Sequence, residues 1–371
     1  MGGAVSERRA AQPLVFGGGM RKKLLALLAS VFAGAGLSAY NPPAGGQNVL
    51  RLTEPQLLTG AASAAGGGIF GVTPASVINN PALTAWEQRI TLDGAGTFFL
   101  GKDGDDDNKI GGAAECGLLV PSRWCVSTFL FQGIWTEFID MPVGNSVNLT
   151  AALSKDISDQ VSVGIAGTLG FLYGSVTKSD CSAVVSAGAY YDFGDLFFMK
   201  GLRFGGSVGN IGKVYTKSRA PGIKGGEADS WPGICTLRTG AAASFVRRPD
   251  FELGASFDLS YPKFQNVVVD TGLQLQVKDF LKVSSSWEFD AREFFERSRN
   301  LLPSVGVGFK FRFSSSEDSY LARKGWQQSD MTVSSAARLM YGNVHALSAG
   351  VLMNLGLADT KAPEIILWGE E

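Results

Sequence analysis

The feature that most constrains this chain is a set of roughly ten-residue stretches in which every charge falls on one register of a two-residue alternation. In the clearest case Val305, Val307, Phe309, Phe311 and Phe313 share one face, and Gly306, Gly308, Lys310 and Arg312 share the other. Phe251, Leu253, Ala255, Phe257, Leu259 and Tyr261 oppose Glu252, Asp258 and serines, and Thr271, Leu273, Leu275 and Val277 oppose Asp270, Gln274, Gln276 and Lys278. Leu281, Val283, Trp287 and Phe289 in turn oppose Lys282, Glu288 and Asp290. Successive strand side chains point to opposite faces, so these are sheets with one apolar face.

Two architectures produce such a pattern. In a soluble sandwich the apolar register faces a core, whereas in a transmembrane barrel it faces lipid and the polar register lines the lumen. Strand length favours the barrel, because about 9–11 tilted residues cross the hydrocarbon layer and globular strands average nearer five or six. A basic residue facing lipid at midplane costs roughly 2–4 kcal/mol, which keeps the apolar register uncharged. Aromatic residues near strand ends, among them Trp124, Trp135, Tyr190, Tyr191, Phe193, Trp231, Phe245, Tyr261 and Tyr341, fit interfacial girdles. Composition agrees: only 18% of the 371 residues are charged and 48 are glycine, yet outside the N-terminal segment no apolar run is long enough for a membrane helix.

Counting these stretches predicts an all-β, antiparallel transmembrane barrel of about fourteen strands between residues 88 and 355. Short turns are expected at Pro121-Ser122-Arg123, at Arg247-Arg248-Pro249-Asp250 and at Asp279 on the periplasmic side, with longer outer loops at 101–108, 211–232 and 290–303. Residues 314–330 break this rule as a long link where a turn belongs, followed by a short outer turn at Gly342-Asn343. Residues 356–371 form a tail or an extension of the last strand.

The N-terminus carries an address. Arg21-Lys22-Lys23, an apolar stretch from Leu24 to Phe32 and small residues through Ala33, Ala35 and Ala39 have the layout of a secretory signal peptide, cleaved after Ala35 or Ala39. Met20 precedes the basic cluster, so residues 1–19 are expected to be a misassigned upstream extension and residues 20–39 the signal. A net charge of −1 and the lack of a long basic run give no footing to nucleic acid.

Residues 40–87 abandon alternation for Pro, Gly and Ala. Thr73-Pro74 has the form of an N-cap with proline at the first helical position, and Asn80-Pro81 stops that turn and starts another. Ile69, Phe70, Val72, Ile78, Leu83 and Trp86 give the segment something to bury, as in a compact plug.

The run Val77-Ile78-Asn79-Asn80-Pro81-Ala82-Leu83-Thr84, after the glycine-rich stretch 60–71 and before Ile90-Thr91-Leu92-Asp93-Gly94-Ala95-Gly96, resembles the N-terminal hatch and first strand of FadL-type outer-membrane transporters. It looks in particular like the FadL-like outer-membrane proteins of spirochaetes. The resemblance covers about 40 residues. It implies a hatch inside a fourteen-stranded barrel of the outer membrane, with passage of hydrophobic molecules such as long-chain fatty acids. Phe70, Asn79, Asn80, Pro81 and Ala82 would then be hatch or gating residues. Related barrels with the same opening act as secretion accessories, so a plugged barrel working as a surface interaction protein is the alternative.

For a carboxylate head group, the inward register offers Arg203, Arg238, Lys310, Arg312 and Arg338, arginine being shaped for bidentate carboxylate recognition. The same residues have inward carboxylates to pair with at Glu252, Asp258, Asp270, Glu288 and Asp290. No catalytic, metal or cofactor site is expected. Gly205-Gly206-Ser207-Val208-Gly209 has nucleophile-elbow spacing without a strand-to-helix turn, and the one histidine is His345 at an expected hairpin turn. Gly66 to Gly71 matches a dinucleotide fingerprint by letters alone. Asp103, Asp105 and Asp107 begin like a calcium loop but lack its glycine and final glutamate. Cys116 and Cys125 flank the Pro121 turn, either as a disulfide across the hairpin or as two small lipid-facing residues.

Overall fold

The computed structural model describes residues 50–103, 107–138, 141–174, 179–213, 235–291, 294, 302–314, 328–340 and 343–356. The upstream extension, the signal peptide, the first hatch residues, Trp231, Tyr341, most of the loops at 211–232 and 290–303, and the tail from 357 lie outside the described residues.

Fourteen strands are present among the described residues: β1 Ile90–Asp103, β2 Asp107–Pro121, β3 Val126–Phe138, β4 Met141–Ser158, β5 Val161–Tyr173, β6 Asp180–Leu196, β7 Met199–Lys213, β8 Thr236–Arg247, β9 Phe251–Pro262, β10 Val268–Val277, β11 Leu281–Asp290, β12 Ser304–Ser314, β13 Gln328–Leu339 and β14 His345–Leu355. Each pairs antiparallel with its sequence neighbours. The sheet closes where β1 meets β14, from Ile90 opposite Leu355 to Leu100 opposite His345. Closure removes every open edge, the condition for a sheet to cross hydrocarbon without unpaired backbone groups. A ten-residue strand spans roughly 33 Å, or about 23 Å of membrane normal at a tilt near 45°, close to the ~25 Å apolar band of such barrels.

The outer face is apolar. Phe257, Leu273, Val283, Trp287, Phe289, Phe309 and Phe311 all point outward and are exposed, while Asp258, Asp270 and Gln274 are buried inside. A contiguous apolar exterior of this extent does not persist in water, so the outward register faces lipid and the sandwich alternative falls.

Three details bear on the expectations. The last hairpins hold despite the long link: β12 pairs with β13 from Val305 opposite Ala337 to Ser314 opposite Gln328, and β13 with β14 from Asp330 opposite Asn354 to Leu339 opposite His345. The four cysteines are free thiols. Cys116 sits opposite Phe131, and Cys125 lies in the turn before the ladder begins at Val126, so the hairpin register keeps the two thiols apart. Tyr190 belongs to no girdle. It points inward and is buried against Phe70, with ring centroids 5.7 Å apart, whereas Tyr191 and Phe193 face outward.

The segment 50–89 fills the lumen. Pro55–Leu58 forms one α-helical turn capped by Glu54, whose Oε2 accepts from Leu57 N at 2.9 Å. Thr73-Pro74 opens a 3₁₀ turn over Pro74–Ile78, and Asn80-Pro81 opens the next over Pro81–Trp86, with Asn80 Oδ1 accepting from Ala82 N at 3.0 Å. Fixed proline φ values and side-chain caps let such short turns form without a long helix to support them. Leu50, Leu52 and Leu58 pack on Phe99, Ile134 and Leu172 of the wall, and Leu57, Ala75 and Val77 on Leu130, Ala152 and Ala166. The core of the protein is therefore the interface between hatch and barrel.

Candidate functional site

The lumen is built from two complementary surfaces. Hatch backbone groups that no helix or sheet satisfies are taken up by wall side chains, as buried polar groups require. Asp258 Oδ2 accepts from Ala64 N at 2.8 Å and Gln274 Oε1 from Ile69 N at 2.7 Å. Ser207 donates to Asn79 O at 2.7 Å, and Ser162 to Ala82 O at 3.0 Å.

The Asn-Asn-Pro-Ala run is the best-anchored part. Asn80 Nδ2 donates to Ala64 O and to Ala189 O of β6, each at 2.9 Å, so one amide ties two hatch segments to the wall. Asn79 Nδ2 donates to Ala62 O at 3.0 Å. Pro81 and Ala82 lie against the backbone of Gly164, where a Cβ has no room. Phe70 packs at a tilt against Tyr190, and the guanidinium of Arg203 sits 5.3 Å from its ring centroid.

The five basic residues separate into three groups. Arg203 donates to Gly67 O at 2.6 Å and Gly68 O at 3.2 Å, and Arg238 to Asn79 Oδ1 at 2.5 Å and Ser260 Oγ at 3.1 Å. Both are buried and hold hatch groups. Arg338 pairs with Glu288 within a buried network in which Arg51 of the hatch bridges to Asp270 at 3.0 Å and approaches Glu288 at 3.9 Å. Lys310 and Arg312 lie near the rim where the turn between β10 and β11 passes: Lys310 is 3.6 Å from Asp279 and 3.8 Å from Asp330, and Arg312, its side chain 73% exposed, pairs with Asp279.

Two cavities adjoin these groups. The smaller, about 60 Å³, is lined by Arg51, Asn79, Pro81 and Arg238. The larger, about 410 Å³, lies between the hatch and strands β10–β14 and is lined by Ile69, Phe70, Val72, Trp86, Lys282 and Lys310, among others. Its size falls within the roughly 300–1,000 Å³ of small-molecule sites. Of the five basic residues named from sequence, Lys310 reaches the larger cavity and Arg238 the smaller.

A third cluster was not anticipated. Glu54 of the hatch meets Asp93 of β1 and Glu115 of β2, with Thr53 donating to Glu115 and Gln132 Nε2 donating to Thr53 Oγ1 at 2.7 Å. Burial, and then the nearby Asp93 carboxyl, push Glu54 up to about 8. Because its folded value is raised, Glu54 contributes stability that is complete below the ordinary value of 4.5 and is lost as pH rises through about 8. Protease protection of residues 50–86 is therefore expected to weaken between pH 5 and 9, by on the order of a few kcal/mol. Glu54→Gln should flatten that dependence; an unchanged pH profile in the variant would remove Glu54 as its source.

What fold and lumen define together is an outer-membrane type β-barrel plugged by its own N-terminal hatch. No known family model matches the sequence, and no curated protein matches it. Among solved structures the chain is similar to the Pseudomonas putida toluene transporter TodX, at 11% identity and a TM-score of 0.48 over 86% of this chain and 100% of that one. It is similar also to the CymD monoaromatic hydrocarbon channel, at 10% identity and 0.46 over 82% and 99%. A bacterial polysaccharide outer membrane secretin gives 13% and 0.40 over 73% and 99%.

Proposed function

We propose that this protein admits hydrophobic molecules, long-chain fatty acids foremost, through a barrel gated by its hatch. The observation that carries the reading is the cavity of about 410 Å³ between hatch and wall, with Ile69, Phe70, Val72 and Trp86 on its hatch side and basic residues on the barrel side. A space with an apolar patch on the hatch and both basic and acidic groups on its lining, Glu87, Asp279 and Asp330 among the latter, suits a molecule with a hydrocarbon body and a polar end. The hatch is held to the wall by discrete hydrogen bonds, among them Asn80 to Ala189 O, Arg203 to Gly67 O and Arg238 to Asn79 Oδ1, so its displacement breaks a countable set of contacts.

The test is uptake by liposomes containing the refolded full chain. Labelled long-chain fatty acid is expected to accumulate faster than in protein-free liposomes, while a polar dye of similar size is held back. Equal rates with and without protein would sink the reading and favour a plugged barrel that acts only through its outer loops.

A further inference from the structure

The uptake reading leaves one buried cluster without a role. Glu54 caps the turn Pro55–Leu58 and faces Asp93 of β1 and Glu115 of β2, while Asp93 and Glu115 lie within hydrogen-bonding reach of each other. All three are buried, and none makes an ion pair with a described residue. The cation facing the cluster is Lys282 of β11, through Glu54. Three oxygens are buried without a donor: Asp93 Oδ2, Glu115 Oε1 and the Oε1 of Gln132, a fully buried β3 side chain whose Nε2 reaches Glu115 Oε2 at 3.3 Å. The same groups seat the hatch. Thr53 donates to Glu115, and Gln132 Nε2 donates to Thr53 Oγ1 at 2.7 Å and to Leu50 O at 3.0 Å. Pro74, which opens the second hatch turn, lies against Gly117 of β2 beside Asp93.

Buried acceptors need donors, and carboxylates in contact repel one another strongly where water does not screen them. A proton answers both needs. A carboxyl O–H between Asp93 and Glu115 turns repulsion into a hydrogen bond, and a proton on Glu54 supplies a further donor to the acceptors around it. Among the described residues no acidic groups are spaced to hold a metal ion. We infer that Glu54, Asp93 and Glu115 form a proton-binding site that latches the hatch. Loaded with protons, the site holds residues 50–58 against β1–β3; emptied of them, it pushes that turn off the wall and opens the plug to polar solutes. Burial, and then the Asp93 carboxyl, favour neutral Glu54, so the seated state is the protonated one and weakens as pH rises. The latch rests on the reading of residues 50–89 as a displaceable hatch, and it extends the Glu54 dependence from stability to permeability.

Two measurements on the full chain test it, each against the double variant Asp93→Asn, Glu115→Gln, whose amides keep the shape of the carboxyls and leave Glu54 beside Lys282 with no carboxylate opposite. The infrared difference spectrum, native minus variant at about pH 7, should contain the C=O stretch of a protonated carboxyl. In liposomes, an entrapped polar dye is expected to leave the native chain at least tenfold faster at about pH 9 than at about pH 6, and to leave the double variant equally slowly at both. Heat-modifiable migration reports that each protein is folded at each pH. A difference spectrum without the carboxyl band, native dye release that ignores pH, or a double variant with the native pH ratio would each overturn the latch. Fatty-acid uptake at about pH 6 no faster than in protein-free liposomes would remove the uptake reading and leave a pH-dependent, variant-sensitive dye release standing. Uptake with pH-independent dye release would do the reverse.

Discussion

Leucine at both Gly205 and Gly254 is expected to drive the hatch out of the lumen while the barrel still closes. A Cβ at Gly205 meets the Ala64 carbonyl, and one at Gly254 meets the backbone of Gly68, in both cases closer than atoms can approach. Neither obstacle is a side chain that can rotate away. The wall strands are fixed by ladders on both sides, with Gly205 between Tyr190 and Gly240 and Gly254 between Ser244 and Gln274, so the hatch must yield. Overpacking typically costs about 1–3 kcal/mol per site, and backbone against backbone places these two at or above the upper end. Limited proteolysis should cut residues 50–86 at least tenfold faster in the double variant, with heat-modifiable migration retained. Gly167→Leu is the control: its Cβ direction is open and faces outward, and it should behave as the native chain. A double variant as protected as the native chain would mean that the hatch is not seated against these strands.

Arg51→Met is expected to loosen the hatch by a comparable amount through charge alone. Arg51 and Asp270 are each only 3% exposed, and their 3.0 Å contact joins the hatch to β10 across the lumen. Removing one partner of a buried pair leaves an uncompensated charge and costs about 3–5 kcal/mol. Arg338 continues to hold Glu288, so the loss concentrates on Asp270. Urea titration followed by protease protection of residues 50–86 should show the hatch released at lower denaturant, and Asp270→Asn added to Arg51→Met should recover most of the difference. A double variant as weak as Arg51→Met alone would assign the loss to the packing of the arginine stem instead.

The barrel was legible in the sequence because lipid enforces a rule on every outward position: no charge at Phe257, Leu273, Val283 or Phe309. The hatch was legible as a break in that rule and as proline and asparagine at the right places for short turns. What could not be read was the match between the two surfaces. Forty-eight glycines appear in the sequence as composition, but Gly164, Gly205, Gly254 and Gly272 are places where hatch backbone touches the wall. Alternation separates such a glycine from Gly167, which faces outward, but not from an inward glycine such as Gly308, whose Cβ would meet only wall atoms.

The same limit applies to charge. Arg203 and Arg238 were placed on the inward register, yet their partners are carbonyl and amide oxygens of the hatch that carry no signal of their own. Arg51 escaped notice because it lies in a segment without periodicity, where a single arginine between Leu50 and Leu52 looks like a loop residue. Tyr190 illustrates the cost of judging adjacent aromatics by proximity to a strand end: alternation sends it inward and Tyr191 outward.

The measurement that tests the central claim most directly is fatty-acid uptake and polar-dye leakage in liposomes carrying either the full chain or a chain lacking residues 60–86, both with heat-modifiable migration. If the hatch gates the barrel, the deletion lets the polar dye through and alters the uptake rate, while the full chain retains the dye and passes the fatty acid. Equal uptake and equal dye retention by the two proteins would contradict gating by this hatch.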